Sequence, residues 1–458
     1  MSSFSGLNSA LSALRAQRAG LELAGQNIAN ANIEGYSRQR VEQTSLGTGA
    51  APARYATPST DSAGVAVTGV VRLRDAYLEA RGRTEHERQA ALTEQQLVVS
   101  DIQRVFTEPS DTGLQAKLDD LSDAFADVAD NPSFPEARTQ LLGRAAVLAE
   151  ALNAGATVLA DQYASRRAEL GGTVDEVNSA AAELAMLNGA VAQAKVAGAS
   201  ANELEDKRDM LAMRLSELTG ATVARSASGS VDVTLGGSAL VSGITARSLA
   251  PTGSTTLAGQ AGSPAGLEWT DTHTPAGPVA GQAGAQLTAL NTTLPDYATA
   301  LDGVAARLTT TVNAIHTTGF TAAGAAGGAF FSGTTAGTIK VAITDPAAVA
   351  ASSSATLAHD GGTADKLAQL AGTAGSADET YRTVVARLGV LVQSTDQLAV
   401  TQNAITGEVD TARLSVAGVS IDEELTSMLS YQRAYEAAAR VMTAVDSMLD
   451  TLINRTGS

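Results

Sequence analysis

Both ends of the chain carry apolar residues at spacings of three and four, which constrains the fold more than any other sequence feature. The N-terminal stripe consists of Phe4, Leu7, Leu11, Leu14, Leu21 and Ile28. The C-terminal stripe consists of Ile421, Leu425, Met428, Tyr435, Ala439, Met442, Leu449 and Ile453. Residues at this spacing share one face of a helix and suit pairing with a second helix. We therefore predict that the terminal helices pair as an α-helical coiled coil.

Two arrangements of these helices fit the periodicity equally well. One is an intramolecular pair that closes a bundle, and the other is a pair that orders when neighbouring subunits add contacts. Arg18 and Gly25 interrupt the N-terminal stripe, and alanines dilute it. A helix with so little apolar mass is marginal alone. We therefore favour ordering on assembly, with the stripes as the assembly seam.

A turn follows the N-terminal helix in the stretch "NIANANIEGYSRQRVEQ", residues 27–43. Asn27, Asn30 and Asn32 tolerate left-handed backbone angles, and Gly35 adopts them at no steric cost. The alternation from Tyr36 to residue 41 then predicts a short strand. The helix is expected to stop and reverse here, and turn chemistry alone favours an ordinary helix-to-strand connection.

The interior alternates between helical and β-like texture. Leu114, Leu118, Leu121, Phe125 and Val128 form one helical stripe, which ends at Asn131. Pro135 suits the first turn of a long second helix, and Gly220 ends a third. Residues 221–282 and 319–362 are rich in Gly, Ser, Thr and Ala, with short apolar runs typical of hairpins.

This order predicts a mainly α protein with inserted β structure. A terminal coiled-coil domain comprises residues 1–40 and 416–458. A helical-bundle middle domain comprises residues 41–220, 283–318 and 363–415. A β-rich inserted outer part comprises residues 221–282 and 319–362, of which the second block is short for a complete outer domain.

Composition narrows the function. The 458 residues are 44% hydrophobic, enough for about three domains, and contain no cysteine, so no disulfide is possible. The 48 Asp and Glu outnumber the 31 Lys and Arg, giving a net charge of -17 that argues against nucleic acid as a partner. The start lacks the pattern of a Sec signal, and no apolar run predicts a membrane span.

The candidates for chemistry are weak, and we predict no catalytic, cofactor-binding or metal-binding residues. The four histidines, His86, His273, His316 and His359, are too dispersed for a local metal motif. No nucleophile or phosphate-binding motif occurs in a strand-to-helix setting. A hydrolase hidden near Trp269 and His273 remains a minor alternative, because no nucleophile motif lies beside them.

Longer segments resemble a known family. "NSALSALRAQRAGLELAGQNIANANIEGYSRQRV" is similar to the N-terminal motif of bacterial flagellar axial proteins, here carried by Asn27, Asn30, Asn32, Gly35 and Tyr36. Three further segments are "EPSDTGLQAKLDDLSDAFADVADNPSFPEAR", "TTTVNAIHTTGF" and "SIDEELTSMLSYQRAYEAAARVMTAVDSMLDTLIN". Together they resemble the hook-associated protein 1 family, the first hook–filament junction proteins.

The resemblance implies a secreted structural protein of the bacterial flagellum, exported by the flagellar type III apparatus and assembled as a ring between hook and filament. The implied partners are copies of itself, the hook protein, the second junction protein and an export chaperone. The chaperone is expected on the C-terminal stripe, at Met428, Tyr435, Met442 and Leu449. Another rod- or hook-type axial protein, or a surface adhesin with a β-rich binding head, are the alternatives.

Overall fold

The terminal helices pack against each other in antiparallel fashion. The computed structural model describes residues 3–46, 64–357 and 359–454, and the side chains of 6–46, 64–357 and 359–451 among them. Helix α1 spans Ser3–Asn30, and α11 spans Ile421–Asn454. Strands β1 (Gln39–Ser45) and β2 (Val65–Arg72) pair antiparallel, and the hairpin lies along α1, where the Val65 amide donates to Ser12 Oγ at 3.2 Å.

The middle of the chain is a bundle of long helices. Its main members are α2 (Ala76–Phe106), α3 (Leu114–Asp130), α4 (Pro135–Val196), α5 (Asn202–Thr219), α8 (Leu294–His316) and α10 (Ala377–Ala417). Shorter pieces are α7 (Gly281–Thr288), a π-helix (Ala289–Thr293) and α9 (Gly362–Ala368). The predicted boundaries are confirmed: α3 ends before Asn131, α4 begins at Pro135, and Gly220 ends α5 with φ 68°.

The first inserted block is a β structure that packs on α4. Strands β3 (Thr222–Arg225), β4 (Val231–Leu235), β5 (Ser238–Ser242) and β6 (Thr245–Ala246) form an antiparallel sheet in that order. Strands β7 (Leu249–Thr252) and β8 (Gly266–Trp269) form a hairpin, joined through α6 (Leu257–Gln260). Alternate residues of β4 are buried, and the strands and helices share one continuous apolar core.

The second inserted block contains little regular strand. Within the described part of residues 319–362, the strands are β9 (Phe331–Ser332) and β10 (Lys340–Val341), followed by a 3₁₀ turn at Pro346–Ala348. Buried His316 organises this block, since its ring contacts the Gly328 carbonyl at 2.8 Å and accepts from the Ala350 amide at 2.9 Å. Turns and side-chain hydrogen bonds therefore supply most of the order here, rather than a sheet.

Candidate assembly site

The turn after α1 is tight, and only its glycine uses the left-handed region. Gly35 has φ 77°, and a Cβ there would overlap the Met210 side chain on α5. The expectation that the neighbouring asparagines adopt left-handed angles is wrong. Among the described residues, positive φ outside glycine occurs at Thr107 and His273. Asn27 instead acts through its side-chain amide.

Asn27 is the hydrogen-bonding centre of the junction between the two ends of the chain. Its Oδ1 accepts from Tyr36 Oη at 2.8 Å and from the Gln39 amide at 3.1 Å. Its Nδ2 donates to the Gln39 carbonyl at 2.9 Å and to Glu424 Oε2 at 3.2 Å. The buried amide thus uses both its donors and both its lone pairs. Asn30 ends α1, and Asn32 is exposed in the turn.

A charged pair fastens α11 to the same point. Arg38 Nε donates to Glu424 Oε1 at 2.7 Å, and its second arm reaches Glu423 at 2.7 Å. Burial opposes the charge, but the two carboxylates raise the pKa of Arg38. The Arg38 amide also donates to the Ala417 carbonyl at 2.8 Å, at the end of α10. Among the described side chains of α11, Glu424 is the only buried one.

A second layer of charges joins this junction to the middle bundle. Arg72, the last residue of β2, and Arg74, two residues further on, both reach carboxylates on α5. The carboxylates belong to Glu205, Asp206 and Asp209. Asp206 also accepts from the Ser37 amide at 3.1 Å and the Ser37 hydroxyl at 2.8 Å. The turn is therefore clamped between the terminal helices and α5, rather than being a free connector.

The contact between α1 and α11 is made by small residues. Among the described side chains of α1, the buried positions are Ala10, Ala16, Gly20, Leu23, Ala24 and Asn27. A Cβ on Gly20 would lie 2.7 Å from the ring of Tyr431, so the two helices approach closely. The repeat of small residues at 16, 20 and 24 is the sequence signal for this contact, and the stripe of larger side chains obscured it.

The predicted seam residues lie beside that contact rather than at its centre. Leu7, Leu14, Leu21 and Ile28 are half-buried, and Leu11 is exposed. On α11, Met428, Met442 and Leu449 are half-buried, whereas Leu425 and Tyr435 are exposed. The side chains of Phe4 and Ile453 lie outside the described residues. Part of both predicted stripes therefore remains available to other molecules, and their role in assembly stays a prediction.

The four histidines occupy separate places in the described structure. They contain no group of three His, Cys, Asp or Glu side chains placed to hold a metal ion. His86 lies between two carboxylates, His316 is enclosed in the bundle, and His273 and His359 are exposed. Trp269 is covered by the Arg247 guanidinium, 4.1 Å from the ring centre. No helix in the described part of the chain is long and apolar enough to cross a membrane.

A helical bundle whose two chain ends pair outside it, with apolar residues left uncovered, defines a structural subunit of a larger assembly. Comparison with known proteins identifies which kind. A family model described as the flagellar hook-associated protein FlgK helical domain matches residues 99–331, about half of the chain. A second model, described as the flagellar basal body rod FlgEFG protein C-terminal, matches residues 411–455. The chain belongs to the FlgK family of flagellar hook-associated proteins.

Individual relatives agree. Flagellar hook-associated protein 1 of Bacillus subtilis is 29% identical over 512 aligned residues, covering the whole of this chain and 99% of that protein. The Escherichia coli protein of the same name is 30% identical over 53% of this chain and 44% of its own length. The flagellar hook junction protein FlgK from Burkholderia pseudomallei has the same fold, with a TM-score of 0.64 at 16% identity over 75% of this chain and all of that one.

The family and the fold class inferred from sequence are thus confirmed. The protein is a structural component of the bacterial flagellum, at the junction of hook and filament. The model that matches residues 99–331 is described as a hook-associated protein domain, whereas the model that matches the C-terminal residues is described by rod proteins. The alternative of another rod- or hook-type axial protein is therefore less well supported.

Proposed function

We propose that the protein forms a ring of identical subunits, in which the exposed apolar residues of α1 and α11 contact neighbouring subunits. The observation that carries this proposal is the difference between the residues inside the α1–α11 contact and those left exposed. Its shared contact uses small residues, while Leu11, Leu425, Leu429 and Tyr435 remain exposed. Exposed apolar residues that continue along one element mark an interaction surface.

The position of the hairpin supports the proposal that one particular side of α1 faces the neighbour. Ser12 contacts the start of β2, and Leu14 and Leu21 lie two and nine residues further along the helix. At about 100° per residue, both lie on the opposite side of α1 from the hairpin. The hairpin and α11 thus cover two sides of the helix and leave the leucine side for another subunit.

Within the flagellum, the ring is proposed to contact the hook protein on one side and the second junction protein on the other. The protein would reach this place through the flagellar type III apparatus, and it has no catalytic role. An adhesin would need a separate binding head. The sheet of the first inserted block instead shares its core with the bundle, which argues against that alternative.

The export chaperone is proposed to bind Met428, Tyr435, Met442 and Leu449 on α11. Helix α11 makes its extensive contacts with α1, so the half-buried members of this set are covered by α1. Chaperone and α1 would therefore compete for one face of α11. The chaperone would hold the C-terminal helix before the terminal pair forms, and release would allow pairing.

The subunit contact can be tested with Leu425→Ser combined with Leu429→Ser, introduced in place of the wild-type protein in motile cells. Both side chains are exposed, so the purified variant should melt like the wild type, while electron microscopy should show hooks without filaments. Flagellin should accumulate in the medium. Val390→Ser with Leu398→Ser, two exposed apolar residues on α10, is the matched control. Normal filaments in the first variant would contradict the proposed contact.

The chaperone surface needs its own test. Tyr435→Ser with Met442→Ser should weaken binding of the purified chaperone in calorimetry. Val441→Ser with Met448→Ser changes the other flank of the same helix and should leave the affinity intact. Equal affinity for both variants would place the chaperone elsewhere.

A further inference from the structure

Three contacts between α1 and α11 obey one rule. Gly20 lies against Tyr431, and Asn27 donates a hydrogen bond to Glu424. A Cβ built on Gly6 would lie 3.9 Å from Val445 Cγ2. In every pair the two residue numbers add to 451. The helices therefore run antiparallel in one register from about four turns before Gly20 to about two turns after it.

Small apolar residues alone would specify this register weakly. Alanine side chains at positions 10, 16 and 24 are nearly equivalent, so a helix pair built on them can slide by a turn or a heptad at little cost. Something other than apolar matching must therefore distinguish the observed register. Two features of the structure do so.

The first feature is steric. The Tyr431 ring lies so close to the α1 backbone that a Cβ on Gly20 would be 2.7 Å from Cε1 and 2.8 Å from Cζ. A slide of one heptad would place this ring over Ala13 or Asn27, both of which carry a Cβ. Gly25, the next glycine of α1, makes no comparable close contact, because no atom lies within 4 Å of a Cβ built there.

The second feature is electrostatic. Glu424 is buried, and its two oxygens accept from Arg38 Nε and Asn27 Nδ2. Sliding α11 along α1 would move this carboxylate away from both donors while keeping it near apolar surface. An unpaired buried charge is strongly unfavourable, and single buried polar groups are the best-attested devices for fixing register in helix pairs.

We propose that Gly20 with Tyr431, and Asn27 with Glu424 and Arg38, are the positioning residues that fix the register of the terminal pair. In this register Leu21 lies level with residue 430 of α11. The register thus decides which outward apolar residues of the two helices lie at the same level along the pair. That last consequence rests on the proposed ring contact, whereas the register itself can be tested on the purified full chain.

The absence of cysteine from the natural sequence makes a cross-linking test simple. Ala13→Cys and Ala438→Cys form a pair whose numbers add to 451, midway between two observed contacts. Ala13→Cys with Val445→Cys reports a slide of one heptad. Under mild oxidation of dilute protein, the first pair should form an intramolecular disulfide and the second should not. Equal cross-linking of both pairs would overturn the proposal.

The steric feature is tested in the same background. Gly20→Leu should reduce the first disulfide by about tenfold, because overpacking of a close contact is destabilising. Gly25→Leu makes the same change in open space and should leave it intact. Tyr431→Ala should restore the disulfide in Gly20→Leu by removing the ring. Failure of this rescue, with the middle domain still melting normally, would show that the Tyr431 contact does not select the register.

Discussion

The terminal helix pair and the middle bundle are held together by different kinds of contact. The apolar core of the bundle is continuous from Val98 to Leu388 and includes fully buried side chains such as Leu141 and Leu148. Among the described residues it contains none from α1 or α11. In the described part of the terminal helices, the buried apolar residues are Ala10, Ala16, Leu23 and Ala24. The bundle can therefore stabilise itself, and the terminal pair has little stability of its own.

The connection between the two regions is polar. Arg72 and Arg74 meet carboxylates on α5, and Arg38 meets carboxylates on α11. Charged contacts of this kind set an orientation with limited net gain in stability, since desolvation offsets much of the attraction. The comparison thus shows a folded body that holds a weakly stable helix pair at a defined angle.

The largest expected difference between the two regions is in the free energy of unfolding lost when a leucine is replaced by alanine. Leu148→Ala should lower the free energy of unfolding by about 3 kcal/mol, because it leaves a cavity in a closed core. Leu23→Ala should leave the main unfolding transition in urea nearly unchanged. A loss of similar size for Leu23→Ala would mean that the terminal pair belongs to the same cooperative unit.

Gly35→Val tests the connection. A β-branched residue at positive φ costs about 1 to 3 kcal/mol, and its side chain would also displace Met210. We expect the main melting transition of the monomer to change little, because the turn lies outside the continuous core. Motility should be lost, with flagellin in the medium. Normal swimming with intact filaments would show that the angle set by this turn is not needed.

The smallest expected effect concerns His86, which joins α2 to α5 and α10. Its Nδ1 lies 3.2 Å from Glu217, and its Nε2 lies 3.0 Å from Asp410. Arg214 and Arg413 bind the same two carboxylates. The hydrogen bonds that His86 donates, first to Glu217 and then to Asp410, raise the pKa of His86 above 6.5 despite burial. Only the doubly protonated ring can donate to both carboxylates.

The sign of the pH effect follows from the raised pKa. The stability contributed by protonated His86 is fully present below the unfolded pKa of 6.5, and it is lost as the pH rises through the folded pKa. His86→Gln should therefore destabilise the protein at a pH of about 5.5, by about 1 kcal/mol or less after screening, and have less effect at a pH of about 9. His359→Gln removes an exposed histidine as a control. An effect of His86→Gln that is independent of pH would contradict the charged bridge.

The sequence predicts elements best where local chemistry decides them. Pro135 and Gly220 mark helix ends correctly, because proline at the first turn and glycine in the left-handed region act locally. The second inserted block was expected to be β-rich, but its order comes from turns around His316, which no periodicity reveals. The contact of Asn27 with Glu424 joins residues 397 positions apart, so only the fold brings it to light.

The terminal stripes illustrate a different limit. Periodicity correctly places apolar residues on one side of α1. Burial, however, occurs where α1 and α11 approach closely, and such an approach favours Gly20 over Leu11. Larger side chains are therefore displaced to the flank of the pair. A pattern of large residues indicates an apolar surface without indicating which molecule covers it.

Hydrogen exchange of the purified full-length monomer tests the central claim most directly. Amides of α1 and α11 should exchange rapidly, with the low protection of marginally stable helices. Amides of α3, α4 and α8 should exchange only through global unfolding. In assembled hook–filament junctions the terminal helices should become protected. Protection of residues 6–30 in the monomer equal to that of α4 would contradict the account.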